Sequence, residues 1–155
     1  MQATLFSKSG APTIQKRRIV DRYSGNKLVE IYHMDDRITS GMDARQLEQG
    51  LKRHFKDNRF DLAVVSDYGH GMLNEDIIKL ICNQAPFLAL NVQCNAGNRG
   101  LNHISKYSRA DYICVAGHEI SIEIRHRELT IFEQIKALSR RIQCPRFTVT
   151  IGKQG

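Results

Sequence analysis

Between residues 62 and 151, short apolar runs alternate with amphipathic stretches, and this alternation limits the fold more than any other feature. LeuAlaValVal at 62–65 reads as a strand buried on both faces, and PheLeuAlaLeu (87–90), TyrIleCysVal (112–115) and PheThrValThrIle (147–151) read as further strands. Between the first two, Asn74 opens a helix through Ile77, Ile78 and Ile81, and Pro86 closes the connection. Thr130 and Glu133 form a capping box ahead of Ile131, Ile135, Leu138 and Ile142, and Pro145 ends that helix. Crossovers of this length join parallel strands. The expected class is therefore α/β, with a sheet of mainly parallel strands.

Upstream the pattern changes. Thr13 to Asp21 and Lys27 to His33 are β-leaning runs separated by ArgTyrSerGlyAsn, where Gly25 and Asn26 offer the positive φ of a tight reversal, which predicts a β-hairpin. Asp43 looks like an N-cap, with Gln46 three residues later, of a helix that carries Ala44, Leu47, Leu51 and Phe55 on one face. No repeat or linker composition interrupts the chain, so one domain is expected: a hairpin at 13–33 and an α/β core at 43–155.

Composition excludes several classes. At 155 residues, with 41% hydrophobic and 25% charged side chains, the chain is globular in character, and no apolar run nears the roughly 20 residues of a membrane span. The N-terminus has no secretory apolar region, so a cytoplasmic location and no membrane partner are expected. Cys82, Cys94, Cys114 and Cys144 lie far apart with no CxxC pair, which suits buried free thiols rather than a metal or redox motif. A net charge of +7 fits a polyanion, yet neither Lys16–Arg18 nor Arg125–Arg127 has interleaved aromatic residues. Solvated basic faces or contacts to a small phosphorylated ligand are favoured over a nucleic-acid surface.

Two strand-end loops hold the candidate site. VVSDYGHGML, Val64 to Leu73, places Asp67, Tyr68 and His70 among Gly69 and Gly71 at the end of a strand, the edge where ligands bind open α/β sheets. Asp67 can hold a sugar hydroxyl or cap its own turn, and His70 has the pKa for acid–base work without an identified partner. The next strand leads into AsnAlaGlyAsnArgGly at 95–100, where Asn95 and Asn98 can bond a sugar or nucleotide and Arg99 can clamp a phosphate.

SerAspTyrGlyHisGly (66–71) resembles the SDYGKG segment of PfkB/ribokinase-type carbohydrate kinases, especially the kinase half of ADP-heptose synthases. KRRIVDRYSGNKLVEIY is similar to that subgroup's substrate-side strands. AlaAspTyrIle (110–113) resembles the strand before a nucleotide-site helix, and ThrValThrIleGlyLysGlnGly (148–155) resembles the TxGxxG turn. The resemblance implies a ribokinase-like three-layer fold and phosphorylation of a heptose or related sugar with ATP and Mg2+. It assigns sugar or phosphate contacts to Asp67, Tyr68, Gly69, His70, Gly71, Asn95, Asn98 and Arg99, and nucleotide contacts to Thr150, Gly152 and Gly155.

The sequence departs from the family too. Its Gly-Gly/Asn segment and its GAGD segment, which carries the general base, are not in this sequence, and His70 replaces the Lys of SDYGKG. His118 and Ser121 fall where the family's PNxxE has Asn and Glu. The expectation is a partial kinase domain, incomplete at both ends and inactive alone, with no catalytic residue and no metal ligand assigned. A non-catalytic sugar- or nucleotide-binding module is the alternative. Unpaired strand edges and exposed apolar faces are also expected, and with them self-association, such as a homodimer.

Overall fold

The computed structural model describes residues 3–126 and 128–152. β1 (Gln15–Val20) and β2 (Lys27–His33) pair antiparallel, with Arg17 opposite Ile31 and Ile19 opposite Val29. Gly25 supplies a φ of +69° at the reversal. The Asp21 carboxylate fixes the turn by accepting from the Ser24 backbone N–H at 2.7 Å and its hydroxyl at 2.5 Å. Neither strand pairs with the main sheet.

The remaining strands and α-helices are α1 (Gly41–Asp57), β3 (Ala63–Asp67), α2 (Glu75–Gln84), β4 (Leu88–Val92), β5 (Tyr112–Ala116), α3 (Gly117–Ile124), α4 (Ile131–Arg141) and β6 (Phe147–Thr150). Strands β3 to β6 form one parallel sheet in chain order. The caps of two helices match the sequence reading. Asn74 Oδ1 accepts from the Ile77 N–H at 3.0 Å, while Thr130 Oγ1 accepts from Glu133 N–H and the Glu133 carboxylate accepts in return from Thr130 N–H. At α1 the expectation fails, because the N-cap is Ser40. Asp43 lies inside the first turn, and its carboxylate accepts from the backbone N–H and hydroxyl of Ser9, both at 2.7 Å. The competing partner from the N-terminal segment outweighs capping, and the acid remains well placed for the helix dipole.

Alternate strand positions build the core. Val65 of β3, Leu88, Leu90 and Val92 of β4, Ile113 and Val115 of β5 and Val149 of β6 join one cluster with Leu47, Ile77, Ile81, Ile120 and Leu138 from the four helices. Each fully buried aliphatic side chain there contributes about 1.5–3 kcal/mol. The intervening positions face the other way, and Val64 of β3 is 69% exposed.

The described residues thus make two layers, helices on one sheet face, rather than three. The physical reason is the order β3-β4-β5-β6: successive right-handed crossovers in one direction put every helix on the same side. With the helices on one face, the other face of β3 stays open among the described residues, so β3 is not buried on both faces as LeuAlaValVal predicts. Ile19, Val29 and Ile31 on one hairpin face are also about half exposed, at 47%, 49% and 51%, in line with the expected apolar exposure. The four cysteines are free thiols, Cys82 and Cys144 buried, Cys94 and Cys114 only partly so. No described helix is long and apolar enough to cross a membrane.

Candidate functional site

The candidate site is built where β3 and β4 end. Asp67 is the last residue of β3, and its Oδ1 accepts from the Gly69 N–H at 2.8 Å, closing a tight Asx turn. Glycine is needed at both flanking positions. Gly69 and Gly71 have φ of +67° and +76°, and a methyl at Gly69 would strike the Asn98 and Asn102 side chains, while one at Gly71 would strike the backbone carbonyls of Asp36 and Arg37.

The segment after β4 stitches itself to this turn with asparagines. Asn95 and Asn98 donate through Nδ2 to the Tyr68 carbonyl at 2.7 and 2.9 Å, and Asn98 also reaches the Gly69 carbonyl at 3.1 Å. Asn102 donates to the Asp67 carbonyl at 3.2 Å and the Gln93 carbonyl at 3.0 Å. Lys106 Nζ lies 2.5 Å from Asp67 Oδ2 and 2.6 Å from Asn102 Oδ1, and the Tyr107 hydroxyl donates to Asp67 Oδ2 at 2.7 Å. Burial opposes the charge on Asp67, but Lys106, Tyr107 and the Gly69 N–H outweigh it and hold the carboxyl below its ordinary value. Burial and the adjacent Asp67 push the Tyr107 phenol far up, so it stays a donor.

These bonds enclose a cleft of about 600 Å3, walled by Asp36, Gly69, Asn98, Asn102, Lys79 and Lys106. Asn98 and Asn102 have their amide groups committed to protein partners, so they shape the wall. Besides the exposed Glu75–Lys79 pair, 3.6 Å apart, two charged groups can meet a ligand. Lys106 has used two of its three N–H donors, and the exposed Asp36 carboxylate has no hydrogen bond or ion pair with a described residue.

The sequence-derived candidates therefore divide. Asp67, Gly69, Gly71, Asn95 and Asn98 come together as the frame of the turn, and the two loops do stand on adjacent strands. Tyr68 is 44% exposed at the outer rim. Arg99 is exposed and clamps nothing among the described residues. His70 stacks on Tyr68, ring centroids 6.4 Å apart, with neither ring nitrogen given a hydrogen-bond partner. Thr150 and Gly152 sit at the end of β6, three strands from Asp67, or about 14 Å at the usual strand spacing. Gly155 lies outside the described residues.

Sequence reasoning missed Asp36, Asn102, Lys106, Tyr107, Glu119 and Glu123. The last two had a signal: carboxylates four apart on α3. Glu119 accepts from the Cys94 and Ala116 N–H groups at 2.8 and 3.0 Å, and Glu123 from those of Ile104 and Ser105 at 2.8 and 2.9 Å. Both brace the segment between β4 and β5. Both acids are committed to backbone donors, and among the described residues no three His, Cys, Asp or Glu side chains converge on one point. Compared with known proteins, the chain matches no family model and no curated sequence.

Proposed function

We propose that the cleft at the ends of β3 and β4 binds a polyhydroxylated small molecule, a sugar, as part of a PfkB-type carbohydrate kinase of ribokinase-like fold. The observation that carries this reading is the pairing of an uncommitted acceptor, Asp36, with a cationic donor, Lys106, on the walls of a preorganised polar cleft. A sugar hydroxyl both donates and accepts, so it can bridge such groups. The SDYGHG turn supplies the resemblance, and its position at the carboxyl end of a parallel strand is where ligands bind this class of sheet.

In this reading ATP and Mg2+ are the co-substrate and ion of the reaction. No general base or metal ligand for it is assigned among the described residues, so the chain's own contribution is to bind and orient the sugar. The non-catalytic binding module is the second reading, supported by the same cleft, whose Asp36 and Lys106 serve binding without any chemical step.

Titration calorimetry with a panel of hexoses and heptoses, with and without a phosphate, tests the proposal. Saturable binding is expected, weakened about tenfold in Asp36→Asn through loss of a charge-assisted hydrogen bond. Absence of binding by every sugar at millimolar concentration contradicts it. Phosphoryl transfer from ATP to the bound sugar separates kinase from module.

A further inference from the structure

His70 is the least satisfied polar side chain of the turn. Both its ring nitrogens are shielded from solvent without a hydrogen-bond partner. Its ring lies nearly parallel to Tyr68, at 11°, and Lys16 Nζ of β1 sits over that same Tyr68 ring at 5.5 Å and over Tyr32 of β2 at 5.2 Å. A chain of contacts thus runs from both hairpin strands through one cation to Tyr68 and then to His70.

We propose that His70 is an acid-sensitive latch: while neutral, it completes the stack that holds the hairpin against the turn after β3, and when protonated it leaves that stack and the hairpin is released. The charged groups that act on the imidazole are Lys16 from β1, Asp36 from the segment after β2 and Asp67 from β3. A proton on the half-buried His70 would charge a ring whose shielded nitrogens have no acceptor, under the repulsion of Lys16. Asp67 already holds Lys106, Tyr107 and the Gly69 N–H, which leaves Asp36 on the cleft wall as the free carboxylate. Movement of His70 toward Asp36 abandons the Tyr68 face, and the Lys16 contact goes with it.

Burial and then Lys16 hold the His70 pKa below its ordinary value, with Asp36 and Asp67 opposing. The latch is therefore closed at neutral pH and opens on acidification below about 6.5, the ordinary histidine value. The device shares Asp36 with the proposed sugar cleft, but it is read from the hairpin amides without any sugar present, so its failure and the failure of sugar binding are distinguishable.

NMR of the isotope-labelled full chain, titrated from pH 7.5 to 5.0, tests it. The amides of Lys16, Arg17, Tyr32 and Tyr68 are expected to shift together with the His70 ring resonances, with a midpoint below 6.5, while Leu90 and Ile113 in the core stay fixed. His70→Phe, which keeps a stacking ring but cannot titrate, should abolish the hairpin shifts, and His70→Gln serves where Phe prevents folding. Lys16→Met should raise the midpoint. Hairpin amides that stay fixed while His70 titrates would overturn the latch, as would an unchanged transition in both non-titrating variants, which would place its origin outside His70.

Discussion

The two halves of the sheet's carboxyl edge are built differently. At β3 and β4, a carboxylate, a lysine, a phenol and three asparagines lock two loops around a cleft. At β5 and β6, Ala116 leads directly into α3, and Thr150 and Gly152 are exposed among the described residues. A methyl added at Gly152 would meet no described residue within 4 Å, whereas at Gly71 it would strike backbone. Preorganised polar geometry is thus concentrated on the proposed sugar side, and the other half resembles a nucleotide turn in sequence alone.

Paired substitutions across this edge can break the contrast. Gly71→Ala combines left-handed strain with a backbone clash and should cost about 3 kcal/mol in urea denaturation, against about 1 kcal/mol for Gly152→Ala, which has strain alone. Equal losses would remove the distinction. Lys106→Met leaves the buried Asp67 carboxylate short of its cation and should cost roughly 2 kcal/mol, less than a fully buried pair because Lys106 partly reaches solvent. Tyr107→Phe should cost about 1 kcal/mol, whereas Tyr112→Phe, which removes only an exposed hydrogen bond to Thr148, should cost a few tenths.

Acid should report the same network. The Asp67 carboxyl is held below its ordinary value, so its contribution is complete above about pH 4 and is lost as the pH falls through the folded-state value. Asp67→Asn, compared by acid titration, should show a shallower loss of stability there than the unmodified chain. An identical slope in both would mean that the carboxylate is not the titrating element.

Local chemistry made much of this legible. Gly25 placed the hairpin, Asn74 and the Thr130–Glu133 box placed two helix starts, and SDYGHG placed the turn, because each is decided by residues only a few positions apart. Val64 misled because which sheet face the helices cover depends on strand order, which four apolar residues do not encode. Asp43 misled because its partner, Ser9, is 34 residues away. Lys106 and Tyr107 were illegible for a similar reason: their meaning is a contact with Asp67 across some 40 positions, formed only once β3 and β4 are side by side.

The most direct test of the account is to map a bound sugar onto the backbone amides by NMR. Shifts confined to Gly69, Asn98, Asn102 and Lys106, and weakened by Asp36→Asn, are the predicted result. Shifts centred on Ala116, Gly117 and Thr150, or no shifts at saturating sugar, would contradict it.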